Sequence, residues 1–74
     1  MLRLYGREGC GLCEEMAGAL TAAGIAFEEV DVDGDPRLVA RFGRRVPVLA
    51  DARGREICHA RLDPAALRAH LELE

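Results

Sequence analysis

Leu2-Arg3-Leu4-Tyr5-Gly6-Arg7-Glu8-Gly9-Cys10-Gly11-Leu12-Cys13-Glu14-Glu15-Met16-Ala17 lies at the start of the chain and decides how the rest is read. Leu2 to Tyr5 alternates like a short strand. Gly6, Gly9 and Gly11 make the next stretch a loop. From Leu12 the apolar residues fall at Leu12, Cys13, Met16, Ala17 and Leu20, the spacing of one helix face. Gly24 supplies the helix stop. The segment is strand, loop, helix, and both cysteines sit where the loop enters the helix.

Downstream the punctuation stays clear. Ile25 to Asp33 reads as a strand with Val30 and Val32 on one face. Its imperfect alternation at Phe27-Glu28-Glu29 suits an edge position. Asp35-Pro36 starts a helix, with Asp as N-cap and Pro at the first helical position. Leu38, Val39 and Phe42 give that helix its apolar face, and Gly43 ends it. Val46 to Ala50 is a strand, Asp51-Ala52-Arg53-Gly54 a turn, and Arg55 to Arg61 pairs back as a hairpin. Asp63-Pro64 opens a last helix, with Leu67 and Leu71 facing inward. The order is β-α-β-α-β-β-α. The first β-α-β unit requires a parallel pair, and the hairpin is antiparallel. The expected fold is α/β: a four-stranded mixed sheet flanked by helices, in a single domain over residues 1–74.

The bulk numbers exclude several function classes. A chain of 74 residues has room for one thin core. The net charge is −3, and the ten basic residues, all Arg, are spread along the chain. Nucleic-acid binding needs a basic stripe, and three aromatics (Tyr5, Phe27, Phe42) do not build a stacking platform. The all-Arg usage reads as compositional bias without functional content. No apolar run approaches the roughly 20 residues of a membrane span, and Met1 to Tyr5 reads as a strand rather than a leader. The expected location is the cytoplasm, with a monomeric protein and neither nucleic acid nor membrane as partner. Three cysteines do not suit a disulfide-stapled secreted scaffold.

Cys10-Gly11-Leu12-Cys13 carries the chemistry. Unpaired N–H groups and the helix dipole favour negative charge at a helix start, so a thiol there ionises readily. Cys13, one turn on, falls on the apolar face. Cys10 is the expected nucleophile and Cys13 the expected resolving thiol of a disulfide exchange. Two alternatives stand beside this reading. The pair could be half of a zinc site, but only Cys58, His59 and His70 could complete it, and Cys58 and His59 are neighbours on a strand, pointing to opposite faces. It could also be a chance pair on a redox-inert domain.

Arg7 is either a cation that holds the thiolate or a solvated loop residue. Glu14 and Glu15 oppose a thiolate while favouring the helix start. Cys58 reads as a small buried hydrophobe, His59 and His70 as surface residues, and the acidic run Glu28 to Asp35 as a solvated edge. No metal ligand set is assigned.

Tyr5 to Cys13 and the later Val46-Pro47-Val48-Leu49 together resemble glutaredoxins, of thioredoxin-like fold, and in particular small bacterial glutaredoxin-like proteins with a cysteine-x-leucine-cysteine-glutamate segment. The resemblance covers nearly the whole chain. It implies a cytoplasmic disulfide reductase or electron carrier that acts on protein or low-molecular-weight disulfides and is recharged by an upstream reductant. It implies a cis Val46–Pro47 bond set against the cysteine pair. It also implies a substrate-binding set of Arg7, Gly11, Leu12, Val46 and Pro47, with the Val46 backbone pairing with an extended peptide or glutathione. No bound cofactor is expected. The paired glycines that hold glutathione should follow Ile57, where Cys58-His59-Ala60-Arg61 stand instead, so glutathione is expected to be a poor co-substrate. Two rivals remain: a metal or iron–sulfur carrier, with Cys10 of two subunits bridging a cluster, and a non-catalytic binding module using the Pro47 face.

Overall fold

The computed structural model describes residues 1–73. Its elements are β1 (Leu2–Gly6), α1 (Gly11–Ala22), β2 (Phe27–Asp31), a 3-10 turn at Val32–Gly34, α2 (Pro36–Phe42), β3 (Val48–Ala50), β4 (Glu56–His59) and α3 (Pro64–Leu73). The sheet order is β2-β1-β3-β4, with β1 and β2 parallel and the other two pairings antiparallel. This is the mixed four-stranded α/β sheet expected, with β2 on an edge.

Strand alternation sorts the core into two layers. Leu2 and Leu4 of β1, Leu49 of β3 and Cys58 of β4 face one side, where Met16 and Leu20 of α1 and Leu67 of α3 cover them. Tyr5, Val48 and Ala50 face the other side and pack against Val32 and against Phe42 of α2. Val30 joins this second cluster beside Val32. Val32 does so from the 3-10 turn rather than from a strand.

Local chemistry sets the element ends. Both Asp-Pro starts behave as read: Asp35 Oδ1 accepts the Arg37 N–H at 2.9 Å and Asp63 Oδ1 accepts the Ala66 N–H at 3.1 Å. Gly24, at φ +71°, lets the chain reverse so that the Ile25 N–H returns to the Leu20 carbonyl at 3.0 Å. That bond holds Ile25 to the end of α1, which is why β2 begins at Phe27 and not at Ile25. The turn between β3 and β4 is organised by Asp51, whose buried Oδ1 accepts the N–H groups of Arg53 and Arg55 at 2.8 and 2.9 Å. The Arg55 N–H above all holds this carboxyl below the usual range, against the opposing pull of burial.

Other expectations need correction. Leu12, Val39 and Leu71 lie on helix faces read as apolar but are largely exposed, Leu71 at 45%. β3 starts at Val48, so Val46 and Pro47 precede the strand, and β4 is four residues long, with an irregular register between Leu49 and Ala50. His59 is exposed, but His70 is half-buried, its Nε2 3.9 Å from Asp51 Oδ2. The arginines are not inert composition. Arg41 donates to the Gly54 carbonyl at 3.0 Å, Arg45 pairs with Glu56, and both guanidinium groups lie over the Phe42 ring.

Candidate redox site

The site is built at the C-terminal end of β1, where the chain turns into α1. Cys10 is the N-cap of α1: its backbone is extended and its sulfur accepts the Cys13 N–H at 3.1 Å. A sulfur in this position is aimed at the unpaired N–H groups of a twelve-residue helix. Cys10 and Cys13 are joined as a disulfide, with Cα atoms 5.2 Å apart. Cys10 is half-buried while Cys13 is only 8% exposed. Cys58 remains a free, buried thiol on β4, and burial pushes its pKa up.

Two glycines make room around the cysteines. A Cβ on Gly6 would stand 3.0 Å from the Cys13 sulfur, so only glycine lets α1 pack its first turn this closely onto β1. The register Tyr5↔Val48, extended by one residue, sets Gly6 opposite Pro47. Pro47 is thereby placed next to the strand end that Cys13 covers. The Val46–Pro47 bond is cis, as the resemblance implied. Pro47 is buried, its carbonyl accepting the Ala60 N–H at 2.8 Å, and Val46 is half-buried. Gly11 and Leu12 are exposed between the cysteines.

Arg7 is not a solvated loop residue. Its Nε and one terminal nitrogen grip Asp33 at 3.2 and 3.1 Å, and the other donates to the Gly43 carbonyl at 2.8 Å. Asp33 and Gly43 were missed by the sequence reading, which placed Asp33 on a solvated edge. The signal lay in the topology: β1 and β2 are parallel neighbours with Gly6 beside Asp31, so the residues just beyond their ends meet. A cavity of about 570 Å³ opens on this side of Cys13, lined by Glu8, Glu14, Glu29 and Asp31 among others. Among the described residues no group of three or more His, Cys, Asp or Glu is placed to hold a metal ion. No helix among them is long and apolar enough to cross a membrane.

The glutaredoxin-like domain model (DUF836) matches residues 1–72. The chain belongs to this glutaredoxin-like family. Solved structures of similar proteins agree. The structural-genomics protein XcR50 from X. campestris is 41% identical, with a TM-score of 0.80 over 100% of this chain and 99% of its own. Protein Ne2328 from Nitrosomonas europaea is 39% identical, with a TM-score of 0.83 over 93% and 87% of the two chains. The holo form of glutaredoxin C1 from populus tremula x tremuloides is 17% identical, with a TM-score of 0.61 over 99% of this chain and 75% of its own. At that identity it shows the thioredoxin-like fold alone. No curated protein matches the sequence. The glutaredoxin-like family thus accounts for the fold of the chain.

Proposed function

We propose that this glutaredoxin-like domain is a thiol–disulfide oxidoreductase, a disulfide reductase or electron carrier of the cytoplasm that acts as a monomer. The observation that carries the reading is the Cys10–Cys13 pair at the N-terminus of α1, with one sulfur in the cap position and the other sheltered. In the reduced protein the Cys10 thiolate attacks one sulfur of a substrate disulfide. The substrate S–S bond breaks, one substrate thiolate leaves, and a mixed disulfide to Cys10 remains. Cys13 then gives up its proton and attacks the Cys10 sulfur, releasing the second substrate thiolate. Two electrons pass to the substrate, and an upstream reductant returns them by the reverse exchange. Gly11, Leu12 and Val46 form the surface that receives the substrate, backed by the buried Pro47, with the Val46 main chain, outside β3, placed to align an extended peptide.

The test is stoichiometric. The reduced protein mixed with an excess of a small aromatic disulfide should release two thiols per chain and end with Cys10 bridged to Cys13. Cys58 should be alkylated only after denaturation. Release of a single thiol per chain would show that Cys13 does not resolve the mixed disulfide.

Glutathione should be the poorer reductant for this site. The resemblance places its γ-glutamyl end after Ile57, where the exposed His59 carries a side chain that keeps a ligand off the backbone and Cys58 is turned into the core. Each lost charge-assisted hydrogen bond costs about 1.5–3 kcal/mol, roughly ten- to a hundredfold in affinity. The carboxylates around Cys13 also repel an anionic tripeptide. Glutathione with its reductase should therefore recycle the oxidised domain at least about tenfold more slowly than thioredoxin reductase does. The opposite order would restore a glutathione site.

A further inference from the structure

We propose that Arg7 is a positioning residue that locks the cysteine loop to the segment carrying Val46 and Pro47, and that it is not the counter-ion of the Cys10 thiolate. The inference rests on the redox reading above. All three guanidinium nitrogens are committed elsewhere: two to the Asp33 carboxylate and one to the Gly43 carbonyl. None is bonded to a cysteine sulfur. Arg7 stands three residues before Cys10, Asp33 lies in the turn after β2, and Gly43 ends α2 four residues before Pro47. One side chain therefore joins the loop that leads into the cysteine pair to the turn after β2 and to the end of α2.

The receiving end is itself fixed. Gly43 sits where a Cβ would come within 2.5 Å of the Val39 carbonyl oxygen, so its close approach to α2 depends on having no side chain. From the other side Arg45, two residues on, holds the Arg41 carbonyl at 3.3 Å and pairs with Glu56 of β4. Its own N–H donates to the Phe42 carbonyl at 2.8 Å. The Gly43–Pro47 segment is thus held from the cysteine side by Arg7 and from the hairpin side by Arg45. A substrate that bonds to Cys10 while lying against Val46 needs both surfaces at one fixed separation. A guanidinium suits this task because its planar fork bonds a carboxylate at two points and still has a donor for a carbonyl, which an ammonium cannot reproduce.

Three variants of the full chain decide between positioning and charge: Arg7→Met, Arg7→Lys and Asp33→Ala. Positioning predicts that all three raise the KM for a peptide disulfide by about tenfold, with a smaller change in kcat. It predicts no change in the Cys10 thiolate pKa, read by ultraviolet absorbance of the reduced protein against pH. Amide exchange gives a readout that needs no turnover: the N–H groups of Arg45 and Ala60, which report on Phe42 and Pro47, should exchange faster in all three, while that of Leu67 in α3 should not. If Arg7→Met raises the Cys10 pKa while Arg7→Lys restores it and Asp33→Ala leaves it alone, Arg7 is the counter-ion and the proposal falls. It falls equally if Arg45 and Ala60 exchange at the normal rate in every variant. A wild-type protein that turns over no disulfide would sink the oxidoreductase reading, and the exchange rates alone would then decide the clamp.

Discussion

Cys10→Ser should lower disulfide turnover by about a thousandfold or more, and Cys13→Ser should turn the protein into a trap. The reasoning starts from the cap. A thiolate at the Cys10 position faces the free N–H groups of α1, which lowers its proton affinity and makes it the sulfur present as nucleophile near neutral pH. A serine hydroxyl there stays protonated and has no activating base, so the attack itself is lost. Cys13 is sheltered and does not face the incoming disulfide. Without it the first exchange still occurs, but nothing attacks the Cys10 sulfur from within, and the mixed disulfide accumulates. Mass spectrometry of Cys13→Ser after exposure to a small disulfide should show the adduct on Cys10. Cys58→Ser should leave turnover within about twofold, because burial keeps that thiol protonated and out of reach. Faster alkylation of Cys13 than of Cys10 in the reduced protein would reverse the assignment.

How much of this could be read in advance follows from the range of each interaction. The strand-to-helix junction was legible because hydrophobic period changes from two to 3.6 within a few residues, and the cysteines sit on the change. The starts of α2 and α3 were legible because an Asp-Pro pair carries its own cap. Leu12 and Leu71 misled for the converse reason. Periodicity names a helix face, while the neighbours decide how much of that face is covered, and both residues lie at its uncovered margin. β2 began late because a single backbone bond, Ile25 to Leu20, extends the end of α1. The Arg7–Asp33–Gly43 link spans 26 and 36 residues of sequence, so no local pattern announces it. It becomes visible only once β1 and β2 are known to be parallel neighbours. Reading the ten arginines as composition alone missed the same point: at Arg7, Arg41 and Arg45 the fork geometry joins loops.

Phe42→Ala should cost the domain about 3–5 kcal/mol, the largest destabilisation expected from a single change outside the cysteines. Phe42 is 1% exposed at the end of α2 and fills the centre of the second cluster, among Tyr5, Val32, Val48 and Ala50. Its ring stacks on Tyr5 at 4.5 Å between centroids, and Arg41 and Arg45 lie 4.8 and 5.8 Å from its own centroid. The aromatic pairing adds roughly 0.5–1.5 kcal/mol to what area burial supplies. No other aromatic residue is available to fill the void, since the remaining one, Phe27, packs against the first cluster. A chain of this length holds only about 4–11 kcal/mol in total, at roughly 0.05–0.15 per residue. The loss therefore takes about a quarter of the stability at least, and the unfolding midpoint should fall by roughly 12–40 °C. Leu71→Ala, at an exposed position of similar chemistry, should move it by only a few degrees. Function should suffer before global unfolding, because Gly43 to Pro47 continue directly from Phe42 and lose the surface that α2 presses onto β1. Thermal melts followed by circular dichroism, with disulfide turnover measured ten degrees below each midpoint, separate the two effects. A midpoint within about 5 °C of wild type would mean that α2 contributes little to the second cluster, and that the Pro47 segment is held by its arginine ties alone.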